Sequence, residues 1–316
     1  MRRGGFWRLI LRRFAHHRLA IAGTALLVGF LLLAWVGPLL WPVDPFSTEG
    51  SPFSPPATRH SLGSDDLGRD VLAMEIHGAR ISLSVGMLSA STSLAIGVVI
   101  GSLSGFYGGW IDSVSMRLTE FFLVIPRFFL ALLAIALFGP RLLTVVLVIG
   151  GLSWPSNARL VRAEFLSLKE REFVEAARAI GVSTTGLIFR HILPNAVGPV
   201  LVNTALLVSE AILLEAGFSF LGLGDPNTMS WGVMLNSAQR FLRDAWWMSV
   251  FPGLSLLGVA LAFTFLSDGL NDAMNPHSFR AASKAYWAAA KRGRGAESVD
   301  DADERGAGKL EHTGVL

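Results

Sequence analysis

The 316-residue sequence contains no cysteine, which excludes disulfides, cysteine-ligated metals and thiol chemistry. Charge is scarce as well: Asp, Glu, Lys and Arg make up 16% of the chain, against about a quarter in an ordinary soluble domain. No G-x-x-x-x-G-K-[ST] run occurs anywhere, so the chain has no phosphate-cradling P-loop, and any ATP it depends on must be bound by another polypeptide. What is abundant is apolar surface. At 52% hydrophobic residues and a mean hydropathy of +0.50, the chain reads as an all-α polytopic membrane protein.

Taken in order, residues 1–18 form a basic tail carrying Arg2, Arg3, Arg8, Arg12, Arg13 and Arg18 and no acid. A first span is expected over 19–40, and basic residues beside a first span place the N-terminus in the cytoplasm. A signal peptide is the competitor, but the flank WVGPLLWP fits a cleavage site poorly. Residues 41–80 read as an external loop rich in Pro and Ser that ends in a short interfacial helix, with Leu67, Val71, Met74 and Gly78 on one face. The core, 81–276, should supply five more spans. These are expected at 81–106, 114–138 with a kink at Pro126, 142–161 with an interruption at Pro155, 196–217 and 248–270. Gly97, Gly101 and Gly105 give the second span a doubled G-x-x-x-G spacing suited to close helix approach. Residues 218–247 are too polar and Gly-rich to span, and Trp231, Trp246 and Trp247 suit an interfacial belt. The tail 277–316 reads as disordered. Six spans put both termini on the cytoplasmic side, and most Lys and Arg fall in the segments so placed.

The stretch 170–195, EREFVEAARAIGVSTTGLIFRHILPN, is a charged insert between apolar segments. Phe173, Ala176, Ala177 and Ile180 fall at i, i+3, i+4 and i+7 on one helical face, with Glu172, Glu175 and Arg178 opposite. Gly181 can adopt positive φ and end this helix. Ser183 can cap a second one that should stop near Pro194. Ala176 and Ala177 form a small-residue ledge that another protein surface could approach; a plain connecting loop is the bland alternative.

These residues resemble a known pattern. Glu175-Ala176-Ala177, then Gly181, then Leu193-Pro194 is similar to the EAA loop of bacterial binding-protein-dependent ABC importer permeases. His191 stands where that pattern usually has an apolar residue, and FRHILPN is typical of the dipeptide, oligopeptide and nickel branch. LGSDDLGRDVLAMEIHGARISLSVG (62–86), ILLEAGFSFLGLG (212–224), SWGVML and the run 251–276 resemble the "C" subunit of peptide importers, so the likeness covers about 19–276. The resemblance implies a MetI-like permease core in the bacterial inner membrane. It implies a homologous permease as partner, two cytoplasmic ABC ATPases that hold ATP and Mg, and an external substrate-binding protein. The chain itself would be a non-catalytic subunit that binds no cofactor. Phe173, Glu175, Ala176, Ala177, Ile180, Gly181, His191, Leu193 and Pro194 would make the ATPase-coupling surface. The cargo would be di- or oligopeptides, with nickel or another small solute as the alternative.

Among the charged residues inside the expected spans, Arg127, Glu210 and Glu215 stand out. A central charge costs about 2.5–3.5 kcal/mol on insertion scales, so these should face a water-filled pathway or the partner permease. His60, His77 and His191 lie far apart and make no metal site. Gly222-Leu223-Gly224-Asp225 has the G-x-G-D spacing of intramembrane aspartyl proteases, but such an enzyme needs a second membrane-embedded aspartate, and Asp112, Asp268 and Asp272 fall toward the other side.

Overall fold

The computed structural model describes residues 13–57 and 61–274. The basic tail up to residue 12, His60 and the tail 277–316 therefore lie outside the described residues. The chain divides into two compact units, Met1–Asn271 and Asp272–Leu316. Apart from the last turn of the final helix, every described helix belongs to the first unit.

Among the described residues the fold is helical, with one isolated bridge, Ser64 to Asp70, and no strand. Helix α1 (Arg18–Trp35) is apolar all round, and the His17 ring nitrogen caps it by accepting from the Ala20 N–H. The short α2 (Gly37–Leu40) follows. Then comes α3 (Val71–Tyr107), whose first turn is capped by Asp70. At 37 residues it is about 55 Å long, and it departs from expectation. The surface helix and the second span are one continuous helix. The face carrying Val71, Met74 and Gly78 is covered by protein instead of lipid headgroups: a Cβ at Gly78 would lie 3.0 Å from the Trp231 ring, and Glu75 on the same stretch is buried and hydrogen-bonded to Ser255.

Helices α4 (Gly109–Val124) and α5 (Arg127–Phe138) meet at a bend of 85°. Pro126 causes it: Ile125 before it is extended, at φ −80° and ψ 128°, as a residue preceding proline prefers. Helix α6 (Leu142–Leu168) runs unbroken through Pro155 and seven residues past the expected end. Pro155 is enclosed, and membrane helices tolerate proline where neighbours shield the freed carbonyl. The glycine stripe of α3 packs on α6. A Cβ at Gly97 would lie 2.5 Å from Asn157, at Gly101 2.5 Å from the Ala158 carbonyl, and at Gly105 2.6 Å from Phe165.

The inserted stretch forms α7 (Glu172–Ala179), α8 (Thr184–Gly186) and a π-helical turn, Leu187–Ile192, that leads straight into α9 (Leu193–Phe218). Here too the chain differs from expectation, since the helix does not stop at Pro194. A proline leaves the carbonyl four residues back without its donor. The wider π turn shifts the register, so that the Leu193 N–H reaches the Ile188 carbonyl five residues back. A second π turn, Ser219–Leu223, ends α9. The polar stretch after it contains α10 (Trp231–Ala238), and α11 (Trp247–Met274) is the last helix described. Trp231 and Trp247 are buried in protein, and only Trp246 of the three is exposed as a lipid-interface residue would be.

Four segments are long and apolar enough to cross a membrane: α1, α3, the run Thr184–Leu223 and α11; the bent pair α4–α5 makes a fifth if read as one broken span. Helix α6 has the length, 27 residues, but its polar centre at Ser153–Asn157 holds it below that hydropathy. Apolar clusters gather around Trp231, around Phe165 with Val174 and Ile192, and around Ile135 with Phe218.

Candidate coupling helix and membrane-embedded charges

Helix α7 follows α6, and two buried apolar side chains seat it. Val174 and Ala177 are buried against Val161 and Phe165 of α6 and against Leu187, Ile188 and Ile192 beyond the turn. The helix is closed by a Schellman arrangement. The Val182 N–H donates to the Ala177 carbonyl (3.1 Å) and the Gly181 N–H to the Arg178 carbonyl (3.0 Å), with Gly181 at φ +80°. Ser183 then caps α8 by accepting from the Gly186 N–H at 3.3 Å.

This seating divides the face read from the sequence. Ala177 turns inward and does not belong to an outward ledge. Phe173 (42% exposed), Ala176 and Ile180 (83% exposed) point away from the bundle, and Glu175 is exposed beside them. The result is an apolar edge on a charged helix, with no cover from the described part of this chain. Of the remaining members of the stretch, His191 and Leu193 are half-buried and Pro194 is exposed. Phe189, 64% exposed on the π turn, adds an apolar side chain that sequence periodicity missed, because a π turn departs from the 3.6-residue repeat.

The charges inside the spans are arranged differently from one another. At the α4–α5 break, Arg127 Nη2 donates to Glu210 Oε1 of α9 at 2.5 Å, and the two side chains are 34% and 41% exposed. The ion-pair partner of Arg127 is thus in the same chain, and the pair stays open on one side. Glu215 differs from expectation. It is 4% exposed, and its Oε1 accepts from Ser219 (2.6 Å) and Ser230 (2.8 Å). It is thus enclosed by its own chain. Burial of a carboxylate demands such donors, and the serines come from the π turn and from the α10 cap, neither recognisable as neighbours in the sequence.

Asp225 does structural work at both oxygens: Oδ2 accepts from the Leu142 N–H at the start of α6 and Oδ1 from the Asn227 N–H, each at 3.0 Å. His77 is bonded to the Ala73 carbonyl of its own helix.

Comparison with known proteins decides the family. Residues 97–280 match the model of the binding-protein-dependent transport system inner membrane component, and residues 5–56 match that of the N-terminal TM domain of oligopeptide transport permease C. The chain belongs to the binding-protein-dependent permease family. It is a multi-pass membrane permease. Among its relatives is the dipeptide transport system permease protein DppC of Alkalihalophilus pseudofirmus, 38% identical over 272 residues that cover 85% of this permease and 90% of the relative. The oligopeptide transport system permease protein OppC of Haemophilus influenzae is 37% identical over 274 residues, covering 85% and 88%. In fold, the permease resembles a chain of the MetNI methionine ABC transporter solved in inward-facing conformations. The TM-score is 0.50 at 19% identity, covering 64% of this permease and 97% of that chain. The stretch 170–195 lies within the matched residues 97–280.

Proposed function

We propose that this permease forms one half of the pathway of an ATP-driven importer for di- or oligopeptides, with a homologous permease as the other half. The relatives' names supply the peptide cargo. Two cytoplasmic ABC ATPases hold ATP and Mg and do the hydrolysis, an external binding protein delivers solute, and this chain is a non-catalytic subunit with both termini in the cytoplasm of a bacterial cell.

One observation supports coupling above the rest: the uncovered apolar edge Phe173–Ala176–Ile180 on a short helix held rigidly by Val174 and Ala177. An ATPase that closes on ATP displaces a docked helix. Helix α7 packs through Val174 and Ala177 on the π turn, which runs into α9 without a break, so displacement reaches Glu210 and the Arg127 pair. A half-exposed ion pair within membrane-spanning helices belongs beside water or protein, not lipid, and we assign it to the pathway wall. Alternating access then follows from differential binding of the two conformations by the ATPases.

The test is reconstitution with the cognate ATPases and binding protein, followed by uptake of a radiolabelled dipeptide. ATP-dependent uptake that is lost on Phe173→Ala/Ile180→Asp, with the permease still present in the membrane, supports the reading; unaltered uptake in that variant refutes the docking edge. Mass spectrometry of the ligand retained by the binding protein separates peptide from nickel or another small solute.

A further inference from the structure

Asp112 and Arg162 form a contact that the coupling reading does not use. Asp112 lies in the first turn of α4, where the partial positive charge of a helix N-terminus favours a carboxylate. Its Oδ1 accepts from Ser104 Oγ in the last turn of α3 (2.5 Å) and from Arg162 Nε in α6 (2.5 Å), and its Oδ2 accepts from Arg162 Nη2 (2.6 Å). One carboxylate therefore ties three helices together. The side chains are 31% exposed for Arg162 and 19% for Asp112, so the contact stands at the margin of the bundle and not in its core.

The position of Arg162 gives this contact its leverage. The glycine stripe brings α3 against its backbone: a Cβ at Gly101 would lie 3.1 Å from the Arg162 nitrogen and at Gly105 2.9 Å from its carbonyl. On either side, Val161 and Phe165 are the α6 residues that seat Val174 and Ala177 of α7. Glycine packing and the apolar cluster already hold the helices together, and neither is strongly directional. A planar guanidinium on two carboxylate oxygens is directional, because it resists rotation of one helix against another.

We propose that Asp112 and Arg162 are positioning residues that fix the angle at which α6 presents α7, and so set how much solute moves per ATP hydrolysed. This rests on the ATP-driven reading above. The fork, not charge alone, carries the effect, so Arg162→Lys should behave like Asp112→Asn.

The test uses the full complex in proteoliposomes, with solute uptake and phosphate release measured on the same preparation. In both variants, ATP hydrolysis should stay near the wild-type rate while solute moved per ATP falls about fivefold or more. A second readout uses the cysteine-free chain, with nitroxides at Trp110→Cys and Thr185→Cys, two exposed positions on α4 and α8. Their distance distribution should broaden in Arg162→Lys. Uptake and hydrolysis falling in parallel, an unchanged ratio, an unchanged distance distribution, or loss of folded protein in both variants overturns the proposal. A wild-type complex that moves solute without ATP overturns the coupling reading itself, and is told apart from the other outcomes because it is seen in the unsubstituted complex, before any variant is compared.

Discussion

Gly181 offers a clean test of the α7 turn, because its two demands can be separated. The residue sits at φ +80°, and a Cβ built on it meets nothing within 4 Å. A side chain there therefore clashes with no described part of this chain, and the whole cost of substitution is conformational. Forcing a non-glycine residue into this region costs about 1–2 kcal/mol, a factor of roughly 5–30 in the population of the turned conformation. Asparagine tolerates the left-handed region better than other residues. Uptake at matched permease levels should then fall in the order Gly, Asn, Ala. Because no neighbour is near, Leu should equal Ala in the stability of the isolated permease. If Leu is markedly worse than Ala only in the assembled complex, the added atoms are meeting an ATPase, as expected of a docked turn. The reasoning is refuted if Gly181→Ala supports wild-type uptake, or if Asn is no better than Ala.

Other contacts carry their own expected outcomes. Gly101→Leu drives a side chain into the Ala158 carbonyl and Val161 and should destabilise the α3–α6 pair by about 1–3 kcal/mol, read as a lower thermal midpoint of the detergent-solubilised permease. Val174→Ser removes a fully buried apolar side chain that seats α7 and should impair ATPase co-purification, although Val174 is not part of the outward edge; intact co-purification contradicts that seating role. Glu210→Gln leaves Arg127 without its carboxylate partner. The permease level should drop further in this variant than in Arg127→Gln/Glu210→Gln, where no charge is stranded, and equal levels on immunoblots would show that the pair is dispensable. Glu175→Ala removes an exposed charge beside the edge, so it should weaken ATPase association without lowering permease stability.

Much of the fold is legible in the amino-acid sequence, for physical reasons that also mark where legibility ends. Long apolar runs announce helices, Pro126 announces a break, and Gly181 with Ser183 announces a turn and a cap, because each rests on local chemistry. The relation of α7 to the bundle is not readable in this way. Periodicity groups Phe173, Ala176, Ala177 and Ile180, but only the packing of Val174 and Ala177 on Phe165 and Ile192 decides which edge is left uncovered. Proline rules predict an interruption at Pro155 and a stop near Pro194, and tertiary shielding and a π turn override both. The surroundings of Glu215 and the Asp112–Arg162 contact join residues from separate helices, and no spacing rule pairs them. Burial of Gly78 by Trp231 likewise turns an expected surface helix into the start of a long internal one.

The most direct measurement of the central claim compares two membrane preparations containing the assembled complex and the binding protein. One is supplied with ATP and has no ion gradient; the other is energised by a gradient and depleted of ATP. Uptake in the first and none in the second is the predicted result. Uptake that persists in the second, gradient-driven membranes would contradict the account, since α7 would then have no ATPase to answer to.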